Sequence, residues 1–584
     1  MEAMPRHNHN KVADVLCGAF LFAATAGFVL WQNTHLTVLW DLSYILENAT
    51  RISLGQLPYR DFPFPYAPLT FLVQAAIIKL FGRVVLHHYL YAAVTAGLAT
   101  LLTWSILLRM LDGARMPRRL TAFLLAVPLV FLGTSSIFPH PFYDSDCTFF
   151  VLFWVWMLLR LESEKFPALA TFVGGGLLVV PLFIKQNTGL AFVASCAVCV
   201  ALLGVRNRRA GALLFAGAGA ALGFALAVLG YTVGLGDYFH WTVEFAASRR
   251  LPGFSTMLGV YRDPSLLWIE IVLALGLGVL IVPRTAKALR WVGAALMSAP
   301  FVAAVAALFL EDNASERVEA LLRLWPGLLI ASLILGLWQL RRGVTVGTLV
   351  PLILLGTIHG AFLSQQLWGS TYAQWPLLMI LMAGILAAVT QEANGGEDAP
   401  HLLTAADVGH RTPTAGASPL IAFAVVASAA LMVTGGYYAL SHERLDYVDL
   451  DGETLVRSSL PELRGLGMRG GWLPNFEELV AYCKREIPRN DAILMIPGED
   501  LFYFTTGRRP QFPVLMMDNT VNPYSAAQLA EFARQRNVRW VVVKRELQLQ
   551  EQPVAFRAQL LNLLGRDFSL EESLANYDVY RKKD

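Results

Sequence analysis

The sequence predicts an α-helical polytopic membrane protein, with about thirteen transmembrane helices followed by one soluble α/β domain at the C-terminus. Three observations predict it. Of 584 residues, 55% are hydrophobic and 15% are charged, where an ordinary soluble protein carries about 25% charged residues. The apolar residues gather into long runs such as Val15–Trp31, Leu213–Val233 and Ile421–Ala439. Each has roughly 17 residues or more, enough to cross a hydrocarbon core of about 30 Å. After Ala439 the pattern changes to short amphipathic helices alternating with apolar strands.

The first run follows Arg6 and Lys11, as a signal sequence would. It is longer than a signal core of about 7–15 residues and lacks a small-x-small cleavage site, so it reads as a retained first span. Short loops rich in Lys and Arg stay in the cytoplasm. Five connections qualify: Arg109–Arg119, Arg160–Lys165, Arg206–Arg209, Arg284–Arg290 and Arg341–Arg342. Placing them inside gives spans at 15–32, 88–109, 120–138, 147–161, 166–184, 189–205, 211–233, 266–283, 291–310, 322–340, 344–363, 372–390 and 419–439.

This weave closes only if Ala67–Phe81 does not cross. Its ~15 residues fall short of the ~20 a span needs, and Lys79, Arg83, His87 and His88 suit a helix lying at the interface. The first outer loop is therefore long, residues 33–87, with an interfacial helix at 67–81. Gln391–Ser418, acidic and rich in Gly, Pro and Thr, reads as a cytoplasmic linker. Residues 1–440 form the transmembrane part and 441–584 an extracytoplasmic domain. In that domain helix Phe476–Ile487, strand Ala492–Ile496, helix Ala526–Asn537, strand Val538–Lys544 and helix Ala555–Leu564 suggest a small α/β unit. The chain is expected in the inner (plasma) membrane, N-terminus cytoplasmic and C-terminal domain periplasmic or extracellular.

Some function classes recede. The formal net charge of +3 comes from basic residues at span ends and so gives no sign of nucleic acid; the expected partners include membrane lipid and no nucleic acid. Cys196 and Cys199 form a CxxC inside an apolar helix, where packing is the expected role rather than redox or zinc chemistry. Gly217, Gly219 and Gly223 lie within a span and read as helix-packing glycines, not a phosphate loop.

Polar chemistry concentrates in the outer loops. The first reads Trp40-Asp41-Leu42-Ser43-Tyr44, then Gly55-Gln56-Leu57-Pro58-Tyr59-Arg60-Asp61-Phe62, with Pro68-Leu69 opening the interfacial helix. The second contains Tyr143-Asp144-Ser145-Asp146 and the third Lys185-Gln186-Asn187-Thr188-Gly189. An acidic residue after span 1, then G-x-x-P-Y-R-D-F and P-L, resembles the first outer loop of the GT-C superfamily. These membrane glycosyltransferases use polyprenyl-phosphate-linked sugars; the bacterial protein-mannosyltransferase and aminoarabinose-transferase group is the most similar. The acidic second loop, the span count and the outer C-terminal domain agree. The family often has Asp-Glu at the first position, whereas Leu42 follows Asp41 here.

That resemblance implies a polyprenyl-phosphate-linked sugar donor and a lipid, glycan or protein acceptor. It makes Asp41 the candidate base for the acceptor hydroxyl; the alternative role is a cap on a helix at 42–54. Asp144 and Asp146 form a D-x-D able to position the acceptor or to hold a divalent cation, and no cofactor is fixed by the pattern. Arg60, Asp61, Lys185, Gln186, Arg249 and Arg250 are the candidates for carrier phosphate or sugar. Two other readings stand beside the enzyme: a transporter or flippase, which would place charged or broken helices at the membrane midplane, and an inactive scaffold. The acids here lie at the outer surface, which favours the enzyme.

Overall fold

The structure, a computed structural model, describes residues 6–114, 116–282, 285–313, 317, 320–364, 371–392, 417–441, 454–518, 520–546 and 554–583. Most of the predicted linker 391–418 lies outside the described residues, as does the junction after residue 441. Helix α1 (Arg6–His35) leads through α2 (Leu39–Ser53) and α3 (Leu69–Phe81) to α4 (Val85–Met110). Next come α5 (Arg118–Ala126), α6 (Tyr143–Ser163), α7 (Ala168–Leu178), α8 (Gln186–Arg206) and α9 (Arg208–Thr232).

Among the described residues ten helices are long and apolar enough to cross a membrane, from Lys11–His35 to Ser418–Leu440. The expected spans 120–138, 147–161 and 166–184 are not among them. The first is α5 plus a 3₁₀ turn, Val127–Val130, and the last is α7 plus a 3₁₀ turn, Val180–Phe183. Pro128 and Pro181 open these turns, because proline cannot donate the helical hydrogen bond and its ring crowds the preceding turn. Helix α6 is continuous over 21 residues, but Asp144, Asp146, Arg160 and Glu162 charge its ends. The helices pack closely where glycine allows. A Cβ on Gly217 would lie 1.9 Å from the Phe172 carbonyl oxygen and one on Gly175 would lie 2.1 Å from that of Leu214, so α7 and α9 touch through their backbones. Gly219 and Gly223, expected to do the same, face open space.

Helix α3 starts after Pro68 and stops at Gly82, whose φ of +85° favours glycine. Its 13 residues extend about 20 Å, too short to span. Leu72, Val73, Leu80 and Phe81 are exposed along it, as befits a helix at a membrane interface. Helix α2 is buried from Leu42 to Ile52, between α3 and the C-terminal residues.

Those C-terminal residues form a four-stranded sheet in the order β3-β4-β6-β5, with β3 (Ile493–Ile496) parallel to β4 (Trp540–Lys544), β6 (Tyr577–Lys582) antiparallel to β4, and β5 (Phe568–Ser573) antiparallel to β6. A short antiparallel pair, β1 (Leu455–Arg457) and β2 (Gly467–Arg469), precedes them. The helices Trp472–Glu486, Ala526–Gln535 and Val554–Leu564 match expectation within a few residues. Ser525 and Gln528 form a reciprocal capping box at the second, which fixes its start. Inside the sheet Lys544 pairs with Glu499 and Asp500, and Asp500 also accepts from Trp472 Nε1 at 2.7 Å and the Tyr577 hydroxyl at 3.2 Å.

The sheet domain sits on the first loop. The Glu47 carboxylate accepts from the backbone amides of Tyr503 and Phe504 at 3.1 and 2.9 Å. Arg51 donates to the Pro513 carbonyl at 2.9 Å and Gln56 to that of Pro510 at 3.1 Å. Thr37 and Arg83 donate to Gly467 and Phe504 carbonyls at 3.0 and 2.8 Å.

Candidate functional site

Asp41 lies in the first turn of α2 and is half-buried. The helix begins at Leu39, earlier than the expected 42–54, and its N-cap is Val38, with no side-chain cap bond. Asp41 is therefore not the cap. As the third residue it sits at the positive end of the helix dipole, which favours a carboxylate.

Asp144 and Asp146 occupy the first turn of α6. Two residues apart on a helix they point about 200° apart, and each has its own partners. Asp144 pairs with Lys185, the two side chains only 6% and 11% exposed. Asp146 accepts from the Thr70 hydroxyl at 2.7 Å and the Tyr91 hydroxyl at 3.0 Å, tying α6 to α3 and α4. The two carboxylates of the D-x-D thus hold separate partners in this structure. Among the described residues no group of three or more His, Cys, Asp or Glu is arranged to hold a metal ion.

Lys185 caps α8 and lies 5.7 Å from the centre of the Tyr143 ring. It is buried in protein rather than extended towards lipid or water. The Tyr143 ring packs against Tyr66 of the first loop and Phe142 of the second, and Phe138 and Phe142 lie 4.9 and 6.4 Å from the Tyr372 ring. This brings the first and second loops and the residues before helix Trp375–Glu392 to one place. Arg250 enters from the expected outer loop 234–265, its guanidinium 4.9 Å from the centre of the Tyr66 ring. The Tyr66 ring is 5.0 Å from Tyr143 and 5.1 Å from Tyr44.

The other predicted residues divide. Gln186 is a staple: it accepts from the Ala67 amide at 3.2 Å and donates to the Pro65 and Thr242 carbonyls at 2.8 and 3.3 Å. Arg60 and Asp61 pair at 3.0 Å on the surface, and Asp61 also accepts from the Leu57 amide. The bond from Arg60 holds the Asp61 carboxyl below its ordinary range, so the pair braces the loop. Arg249 is exposed and lies over Phe245.

The site so assembled contains Asp41, the Asp144–Lys185 pair, Arg250 and the tyrosines 44, 66, 143 and 372. Sequence reasoning named the charged members and missed the tyrosines. The density of Tyr and Phe in the first loop was a signal for Tyr44 and Tyr66. Tyr372, more than 200 positions downstream, carried none.

A bundle of apolar helices long enough to cross a membrane, with charged side chains gathered among its loops, defines a multi-pass α-helical membrane protein. No protein-family model and no curated protein matches the chain. Solved structures that do match include ArnT from Cupriavidus metallidurans bound to undecaprenyl phosphate, 12% identical over 96% of this chain and 97% of that one, with a TM-score of 0.43. The arabinofuranosyltransferase AftD from mycobacteria is 14% identical, with a TM-score of 0.44; the match covers all of this chain and 40% of that one. At these identities and scores the likenesses carry no assignment for this chain.

Proposed function

We propose that the chain is an integral membrane glycosyltransferase, of hexosyl- or pentosyl-transferring type, that moves a sugar from a polyprenyl-phosphate-linked donor to an envelope acceptor on the outer face. The observation that supports this best is the gathering of an ion pair and a further cation around Tyr143: Lys185, paired with Asp144, lies 5.7 Å from that ring, and Tyr66 beside it carries Arg250. Transfer needs both signs of charge at one carbon.

Asp41 accepts the proton of the acceptor hydroxyl as its oxygen attacks the anomeric carbon. The bond from that carbon to the phosphate oxygen breaks, and the polyprenyl phosphate leaves with the electron pair. Arg250 stabilises the developing negative charge with oriented N–H donors. Lys185 adds a second cation, its orientation held by Asp144. Asp146 and Gln186 fix the loops that carry these groups.

The acceptor class is open to direct test. Mass analysis of envelope lipids and glycans from cells with and without the gene is expected to show loss of one glycosyl substituent. Unchanged glycans, together with loss of uptake or export of a solute, would instead support a transporter.

A further inference from the structure

Helix α3 leaves one whole face uncovered. Thr70, Phe71, Gln74, Ala75 and Ile78 are buried against α2 and α4, whereas Leu72, Val73, Ala76, Lys79 and Leu80 are exposed. The exposed positions follow one another at i, i+1, i+4, i+7 and i+8, a single stripe along the helix. The stripe is apolar except for Lys79, and it ends in Leu80 and Phe81, 75% and 65% exposed. Helix α4, a candidate span, bears an exposed stripe of its own at Leu90, Val94 and Leu98, at the spacing that stacks side chains on one helix face.

Cations gather where α3 ends. Lys79 lies in its last turn. Arg83 follows Gly82, donates to the Phe504 carbonyl at 2.8 Å, and rests its guanidinium against Gly507. Arg508 and Arg509 come directly after Gly507, and Arg508 donates to the Pro488 carbonyl at 2.7 Å, which brings in Arg489. From the other side the Arg464 carbonyl accepts from the Leu86 amide at 3.0 Å. Lys79, Arg464, Arg489 and Arg509 are exposed. The carboxylates near them are mostly engaged: Glu486 pairs with Arg485, Asp491 accepts from Trp540 Nε1, and Glu47 accepts from the Tyr503 and Phe504 amides. Glu462, half-buried two positions before Arg464, offsets one charge of the five.

An apolar stripe that ends under a cluster of cations matches the two parts of a lipid, chains and charged headgroup. We infer that the elbow between α3 and α4 holds an anionic phospholipid, its phosphate against Lys79 and the neighbouring arginines and its acyl chains along the exposed face of α3. The inference does not rest on the transferase reading.

The test uses the full chain with its five native cysteines replaced and bimane attached at Leu80→Cys, in phosphatidylcholine vesicles. Brominated phosphatidylglycerol should quench the label at a mole fraction about five- to twentyfold lower than brominated phosphatidylcholine does. Salt at about 0.5 M, which screens exposed charges, should shrink that preference. Joint replacement Lys79→Gln, Arg464→Gln, Arg489→Gln and Arg509→Gln should abolish it while both lipids still quench. Joint replacement Lys79→Arg, Arg489→Lys and Arg509→Lys should keep it. Quenching by neither lipid would show that the face lies outside the bilayer and is covered by something else. Equal quenching by both, a preference indifferent to salt and to the glutamines, or its loss in the charge-keeping variant would equally overturn the inference. Undecaprenyl phosphate should displace the brominated phosphatidylglycerol no better than unbrominated phosphatidylglycerol does; better displacement would give the surface to a polyprenyl carrier and reject the phospholipid.

Discussion

Lys185 and Asp144 form an ion pair that is largely withdrawn from water. Removing one partner of such a pair leaves the other charge buried alone and typically costs about 3–5 kcal/mol. Lys185→Met and Asp144→Asn should each lower the unfolding midpoint in detergent, and the double variant should recover most of the loss. Strictly additive losses would show that the two groups do not depend on each other. The sequence marked both residues but not their contact, because 41 positions separate them. It also left Asp41 between two roles that only the true start of α2 separates: with Val38 at the cap, exchange at Asp41 alters charge without removing a cap.

Helix α2 joins the site to the sheet domain, since its first turn holds Asp41, its middle Glu47 and its last turn Arg51. Burial pushes the Glu47 carboxyl up from 4.5 to about 8, although the Phe504 and Tyr503 amides and Arg51 favour the charged form. A raised carboxyl binds its proton more tightly in the docked state than in an open one. The docked state is therefore favoured most below about pH 4.5 and loses that advantage as pH rises to about 8. Between pH 5 and 8.5 the thermal midpoint of the wild type should fall more than that of Glu47→Gln; equal slopes would remove Glu47 as the cause. Element by element, legibility followed apolar pattern. Strand β4 is buried throughout and was plain in Trp540–Lys544, whereas β5 exposes all but Phe568 and offered no alternation to read. Apolar composition equally concealed the proline breaks after α5 and α7.

For the whole molecule, charge in the short connections predicts which face is which, while the fold shows which loops meet. The first loop, the start of α6, the start of α8 and the sheet domain share one face through the contacts of Asp144, Gln186, Glu47 and Arg51. The charge of the short connections predicts that this face is the outer one. Cysteines placed singly at Ala114 and Thr520, with the five native cysteines replaced, should react with an impermeant maleimide in intact cells only at 520. Reaction at 114 but not at 520 would invert the whole assignment.

The central claim is that sugar transfer occurs at Asp41, and its most direct measurement is transfer by the purified chain in proteoliposomes. The donors are polyprenyl-phosphate-linked sugars, and the acceptor is the envelope component that the glycan comparison shows to lose its substituent. Wild type should release polyprenyl phosphate and glycosylate that component in equal amounts. Asp41→Asn should be slower by about 10²–10⁴-fold, the usual cost of losing a general base, with donor binding and thermal stability nearly unchanged. Full transfer by Asp41→Asn would contradict the account.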